Sequence, residues 1–591
     1  MAKQKLELTW IGKDVRPKLE PRILLEDPSK SYHAKHRLSE NDIFDNRLIF
    51  GDNLLALKAL EQEFTGKIKC IYIDPPYNTG NAFEHYDDGL EHSIWLSLMQ
   101  SRLEVLWRLL TNDGFLAVQI DDNEFAKLFL LLAEICGESN LKVICVKMSE
   151  PTGVKMASIN KVGGVAKLKE YVILAGKSGI KNLTLEKIPK EKWDKEYKTL
   201  ILNVSEDELK FIKEALNSET PLTAEDLDEI YQIGSKASFI SVSEYSKNEG
   251  LKVTEEWLFS NAWRIVQFAT LTGGALQLAI EKKRSYTDNL PAFFPLITKT
   301  GVLYCIKGQF NEETSLPRSK LLFADEYLQV HAGDFWNDIK TTGLDNEGNV
   351  DFKNGKKPEK LIKRIIGACS KHGDIVLDSF AGSGTTGAVA HKMGRRWIMV
   401  ELGDHCHTHI IPRMQKVIDG EDQGGISQSV NWKGGGGFRY YSLAPSLLQQ
   451  DQWGQWVINK EYNADMLAAA ICKLEGFTFQ PSTEHYWQHG FSTENDFIYV
   501  TTQTLTADQL QALSEEVGPN RTLLVCCAAF RADESRFSNL TIKKIPKMVL
   551  SKCEWGHDDY SLNVENLPQA PNAAEVSSKS GLFSDDEGSA A

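Results

Sequence analysis

Apolar positions recur along this chain with two different periods, and their alternation outlines a sheet interleaved with helices. Arg47-Leu48-Ile49-Phe50 reads as a short strand, and LLALKALEQEF, just after Gly51-Asp52-Asn53, carries helical spacing. Ile68, Cys70, Ile71, Tyr72 and Ile73 form a mostly apolar run of β-branched and aromatic character, which predicts a buried strand. Leu96, Met99, Leu103, Leu106 and Leu110 repeat at steps of three and four, one face of an amphipathic helix closed by Asn112-Asp113-Gly114. Phe115–Ile120 predicts another strand and Phe125–Cys136 another helix. Strands and helices in strict alternation imply a parallel, doubly wound α/β sheet.

That pattern breaks after Leu141 and returns near residue 354. Between them, apart from a strand expected at Tyr171–Ala175, lies a stretch with many lysines, scattered aromatics (Trp193, Tyr197, Trp257, Trp263, Phe268) and little clean periodicity. After it, Lys357-Pro358-Glu359 opens a helix, Asp374–Asp378 and Trp397–Val400 predict strands, and Phe438–Ser442 predicts one more. Beyond 445, Phe497–Leu505 and Thr522–Phe530 read as strands around a helix at Ala507–Val517. The expected domains are therefore an N-terminal arm (1–45), two halves of one sheet (46–150 and 336–445) split by an insertion (151–335), a C-terminal α/β interaction module (446–570) and a disordered acidic tail (571–591).

Composition narrows the partners. At 591 residues the chain is too long for one core, and with 42% hydrophobic and 25% charged residues it can bury several. No apolar run is long enough to span a bilayer, so no membrane role is expected. The ten cysteines form no CxxC framework, which suits reduced thiols in a cytoplasmic setting. The net charge of −14 requires any nucleic-acid reading to come from a local basic surface, for which the Lys-rich, aromatic-bearing insertion is the candidate.

Two stretches carry chemistry. Asp74-Pro75-Pro76-Tyr77 stops the strand before it, and two prolines make the stop a stiff loop at a strand's carboxyl end, where open α/β sheets bind ligands. A carboxylate and a backbone carbonyl there can accept both hydrogens of a planar amino group while the Tyr77 ring stacks on the base carrying it. The second stretch runs from Asp378 through Phe380-Ala381-Gly382-Ser383-Gly384-Thr385-Thr386-Gly387, a Gly-rich turn into a helix, with Glu401 ending the next strand at ribose-binding distance. A phosphate-binding Walker loop needs Lys after Gly387, and Ala388 stands there. A dinucleotide turn and a methyltransferase turn both remain open on this stretch alone. Asp52 and Asp121, each at a strand end before a helix, are either site carboxylates or helix N-caps. His405 and His409, one turn apart, could ligate zinc, but no second ligand cluster accompanies them and an ordinary helix is expected, with no metal.

The order of these parts, catalytic loop first and cofactor turn after a long insertion, resembles that of the β-class, circularly permuted DNA amino-methyltransferases. The extended forms Asp-Pro-Pro-Tyr-Asn-Thr-Gly (74–80) and Ile-Asp-Asp-Asn-Glu (120–124) are similar to those of modification subunits of Type III restriction–modification systems. The resemblance implies a Rossmann-like methyltransferase sheet with an inserted target-recognition domain, S-adenosyl-L-methionine as cofactor, and transfer of its methyl group to N6 of a flipped adenine. It implies double-stranded DNA as partner, a homodimer, a helicase–nuclease restriction subunit, and a prokaryotic, nucleoid-associated protein. Asp74, Pro75, Pro76 and Tyr77 would form the catalytic loop. Asp378, Phe380, Gly382, Gly384 and Thr385 would build the cofactor turn, Glu401 would take the ribose, Lys357 and Glu359 the methionine end, and Asp52 the adenine. The alternatives are cytosine-N4 methylation, a DNA-recognition subunit without turnover, and an RNA or protein-glutamine amino-methyltransferase.

Overall fold

Strand Ile68–Ile73 lies between the two halves of the sequence in space. Its one neighbour is Leu110–Ile120 from the same half, and its other is Ile375–Asp378, more than 300 residues later, with Val376 opposite Cys70 and Leu377 opposite Ile71. The computed structural model describes residues 7–77, 88–149, 163–181, 183–190, 192–218, 222–286, 289–348, 350, 352 and 355–561. Among these, eleven strands form the main sheet, in the spatial order Leu24–Glu26, Gly437–Leu443, Asn46–Phe50, Arg396–Glu401, Ile375–Asp378, Ile68–Ile73, Leu110–Ile120, Lys169–Gly176, Leu141–Lys147 and Phe335–Trp336, with Tyr32–His33 pairing beside Gly437–Leu443.

Six consecutive strands of this sheet, Gly437–Leu443 through Leu110–Ile120, are parallel. Helices cover both faces, which is why the central strands are apolar without alternation: Cys70, Ile71, Tyr72 and Ile73 are all buried. Helix Thr385–Lys392 is buried along all eight residues. It can lie that close only because Gly387 has no side chain, since a Cβ there would sit 2.3 Å from the Met399 methyl on the strand beneath.

The sheet departs from the expected all-parallel arrangement at both sides: Leu24–Glu26 and Tyr32–His33 run antiparallel to Gly437–Leu443. Lys169–Gly176 runs antiparallel between Leu110–Ile120 and Leu141–Lys147. Its place in the sheet moves the domain boundary: the insertion, expected from 151, closes as a compact unit over Glu186–Ala332. That unit has its own six-stranded antiparallel sheet and a core including Ile201, Ile212, Ile230, Val266, Phe293 and Phe323. The N-terminal arm, expected to lie outside the two sheet halves, supplies the strands Leu24–Glu26 and Tyr32–His33. Strand Leu110–Ile120 begins directly after helix Asp88–Leu109, so Asn112-Asp113-Gly114 lies inside a strand instead of ending the helix.

Residues beyond 445 pack with the main sheet in one compact unit and carry a five-stranded sheet of their own. In its strand Thr522–Cys527, the adjacent Cys526 and Cys527 face two different cores, as side chains of period two must. The chain then returns toward the main sheet, where Arg22 pairs with Asp558 and with the His557 carbonyl. The tail expected at 571–591 and the polar stretch at 78–87 lie outside the described residues. Among the described residues no helix is long and apolar enough to cross a membrane.

Candidate functional site

Four neighbouring parallel strands, Asn46–Phe50, Arg396–Glu401, Ile375–Asp378 and Ile68–Ile73, end at one edge of the sheet, and a cavity of about 460 Å³ opens there. Asp52, Asp74, Pro75, Pro76, Tyr77, Lys357, Phe380, Gly382 and Glu401 line it, joined by Asn53, Leu98, Arg102, Phe352, Leu402 and Ser561. Two stretches more than 300 residues apart therefore share one wall, because their strands are neighbours.

The Asp74 loop is held rigidly at its base. The Trp95 indole N–H donates to the Pro76 carbonyl at 2.8 Å, which leaves the Pro75 carbonyl as the loop's candidate acceptor. Around the Asp74 carboxylate the partners are dense. The Tyr77 hydroxyl lies 2.6 Å from Asp74 Oδ1 and 2.8 Å from Glu170 Oε2, and the Lys357 ammonium reaches Asp74 Oδ2 (3.2 Å), Glu170 Oε2 (3.0 Å) and the Tyr77 hydroxyl (2.8 Å). Glu170 Oε2 also accepts from the Gln119 amide at 2.5 Å, and Gln119 in turn accepts from the buried Tyr72 hydroxyl at 2.6 Å.

Burial pushes the Asp74 carboxyl above its ordinary value, and Lys357 pulls it part of the way back. Burial alone would lower the Lys357 ammonium, but the charges of Asp74 and Glu170 outweigh it and raise its pKa overall. Burial and the two flanking carboxylates hold the Tyr77 phenol protonated, far above its usual range.

Across the cavity, the Gly-rich turn is fixed by carboxylates. Glu401 Oε2 accepts the Gly382 amide at 2.8 Å, while Oε1 accepts the Gly403 amide at 2.9 Å and pairs with His405 at 3.0 Å. Asp378 Oδ1 accepts the Phe380 amide at 2.9 Å and Oδ2 the Thr386 hydroxyl at 2.5 Å. Asp378 is fully buried, and burial raises its pKa to about 7.

Several expected site residues stand elsewhere. Asp378, Gly384 and Thr385 shape the turn from behind the cavity wall: Thr385 accepts from Arg413 at 2.8 Å, and Gly384 caps helix Thr385–Lys392 with φ +76°. Glu359 does not line the cavity. It is fully buried, where Lys392 (2.9 Å), Arg413 (2.8 Å) and the Ile426 amide (3.1 Å) occupy its carboxylate. Lys357 does line the cavity, but it faces the Asp74 loop. Asp52 lines the cavity and is also an N-cap: Oδ1 accepts the Leu55 amide at 3.0 Å, and Oδ2 meets Arg102 at 3.4 Å and the Tyr560 amide at 3.0 Å. Asp121 is neither a cap nor a cavity residue, since Glu124 occupies the cap position of the next helix and Asp121 pairs with Lys167. His405 is turned to Glu401, and among the described residues no three His, Cys, Asp or Glu side chains gather as a metal site would require.

The sequence reading missed Glu170, Gln119, Trp95 and Arg102. Glu170 alone left a trace, a carboxylate at the head of an apolar strand. Because that strand runs antiparallel, its first residues meet the carboxyl ends of its neighbours, with Tyr171 opposite Ile120.

The comparisons with known proteins agree with this arrangement. Residues 68–411 match the model of the DNA methylase family. The chain is 35% identical over 423 residues to a probable type III restriction-modification enzyme HindVI Mod subunit from Haemophilus influenzae, covering 69% of this chain and 55% of that protein. It is 28% identical to the type III restriction-modification enzyme EcoPI Mod subunit of Escherichia phage P1 (66% and 62% covered) and 24% identical to the EcoP15I Mod subunit of Escherichia coli (88% and 86%). Against the first two, the match spans little more than half of the relative's length. With the family model spanning both strand ends and the Gly-rich turn, the chain belongs to the DNA methylase family.

Proposed function

We propose that this chain is a site-specific DNA methyltransferase that moves a methyl group from S-adenosyl-L-methionine to the N6 amino group of an adenine flipped out of double-stranded DNA. The observation that carries the reading is the meeting, in one cavity, of the Asp74-Pro75-Pro76-Tyr77 loop with the Phe380–Gly382 turn and Glu401. The residues present fit such a cofactor. Gly382 has φ +53°, and a Cβ added there would find its nearest heavy atom at 3.9 Å, so the turn leaves open space beside the Phe380 ring. Glu401 Oε2, which accepts from the Gly382 amide alone, keeps a lone pair and can accept a ribose hydroxyl. Bound there, S-adenosyl-L-methionine supplies an electrophilic methyl group on a sulfonium.

The chain's own residues do the rest. An exocyclic amino nitrogen is a weak nucleophile because its lone pair is delocalised into the ring. Asp74 and the Pro75 carbonyl, accepting one hydrogen each, favour a pyramidal nitrogen and localise that pair. The Tyr77 ring replaces the stacking the base loses on leaving the duplex. Positioning is the principal contribution, and Asp74 must be ionised to make it.

The proposal extends to partners. The insertion, with lysines laid on aromatic rings such as Lys320 over Tyr304 (3.9 Å) and Lys307 over Phe268 (4.6 Å), selects the DNA sequence. The relatives' naming as Mod subunits supports a role as the modification subunit of a restriction–modification system; the proposal adds that it works as a homodimer with a helicase–nuclease partner. The test is base-resolution sequencing of modified bases in DNA from cells expressing the chain or Asp74→Ala. N6-methyladenine at one short motif, absent with the variant, is expected. N4-methylcytosine would reassign the base, and unmodified DNA would overturn the reading.

A further inference from the structure

The Tyr77 hydroxyl has one proton and two carboxylates within reach, Asp74 Oδ1 at 2.6 Å and Glu170 Oε2 at 2.8 Å. It can donate to only one at a time. The Lys357 ammonium, with three N–H donors, reaches both carboxylates at once. While the hydroxyl rests on Asp74 Oδ1, it takes up part of that oxygen's accepting capacity, and an incoming amino group finds a weaker acceptor there. Glu170 is equipped to take the hydroxyl over. Its Oε2 is fixed by Gln119, itself fixed by Tyr72, so the alternative acceptor is held in place by neighbouring strands of the sheet and not by the loop.

Resting on the methyltransferase reading above, we propose that Glu170 is a positioning residue that draws the Tyr77 hydroxyl off Asp74, freeing Asp74 Oδ1 to accept a target amino hydrogen. The exchange is a shift of hydrogen bonds within a fixed set of groups. Tyr77 keeps its proton, Lys357 keeps its charge, and no bond to carbon is made or broken. The negative charge of Glu170 also opposes ionisation of Asp74, so its removal acts on Asp74 in two separable ways: one through the hydroxyl, one through charge.

The test is a double-variant cycle on the full chain with Glu170→Ala, Tyr77→Phe, the combined variant and Asp74→Ala. Two quantities are measured: single-turnover methyl transfer to DNA carrying the motif, and thermal unfolding without cofactor or DNA. Glu170→Ala is expected to slow transfer at least tenfold, because the hydroxyl then has Asp74 as its sole carboxylate. Adding Tyr77→Phe, which keeps the ring and removes the competing hydroxyl, is expected to restore part of that loss. In unfolding, Glu170→Ala is expected to lower Tm less in the Tyr77→Phe background than in the native one. Glu170→Gln should shift the acid limb of the rate profile to lower pH, a response that a purely structural role would not produce.

Losses that simply multiply, with additive Tm changes, would overturn the positioning role of Glu170. So would a Glu170→Ala protein with native rates while Asp74→Ala is inactive. If Asp74→Ala retains native transfer, the failure belongs to the methyltransferase assignment of the loop instead.

Discussion

Lys357 and Glu359 are two residues apart, yet they enter two clusters of charge built on opposite terms. Behind the Gly-rich turn, Glu359 and Asp422 meet Lys392 and Arg413, two anions and two cations, all four fully buried. Arg413 reaches onward to the Ser383 carbonyl at 3.2 Å and the Thr385 hydroxyl, so this balanced set braces the turn. In the cavity, Asp74 and Glu170 share Lys357, among the described residues the one cation paired with both. That set is one positive charge short, and its donors have more than one acceptor. A closed, neutral cluster holds a shape, whereas an open one whose donors have alternative acceptors can rearrange.

The sharpest way to break the comparison is to unbalance the closed cluster. Glu359→Ala leaves Lys392 and Arg413 buried without their shared partner and is expected to cost about 3–5 kcal/mol in chemical denaturation. A loss near zero would mean that the cluster is not structural. On the open side, Glu401→Ala should weaken S-adenosyl-L-methionine by about 1–3 kcal/mol in calorimetry. NADH should give no saturable binding.

The two remaining predictions concern pH. The Asp74 carboxyl is raised and Lys357 restrains it, so transfer should fall as pH drops through that raised pKa, and Lys357→Met should move the acid limb further up. Rate profiles that coincide would remove Lys357 from the electrostatics of the loop. Asp378 titrates near 7 when folded against 3.8 in the ordinary state, so the protein binds more protons than the unfolded chain between those values. Its contribution to stability is therefore full below about 4 and is lost as pH rises through 7. Asp378→Asn should flatten that decline, measured as unfolding free energy across roughly pH 4–8.

The two loops were legible in the sequence because their signals are local. Two prolines stop a strand wherever they fall, and a Gly-rich turn after Asp378 announces a close approach of backbone to ligand. Helix Phe125–Cys136 and helix Ala507–Val517 were equally plain from period alone. What sequence could not reveal was which side of the backbone each charge would take. Pro358 is the N-cap of helix Glu359–Cys369, so Lys357 lies before the helix, toward the cavity, while Glu359 is its first residue and turns inward. Glu170 was hidden for a different reason. Its role depends on the direction of one strand, and a run of apolar residues reads the same parallel or antiparallel.

The return of the chain at Trp555–Ser561 has a practical side. The Tyr560 amide and carbonyl hold Asp52 and Arg102, and Ser561 stands in the cavity wall. A protease cut or a stop codon near 445 would thus do more than detach a module: it would strip the lining beside Asp52 and leave Arg102 facing water. Truncation experiments meant to map assembly would then report weakened ligand affinity, although no residue of the Gly-rich turn had been touched.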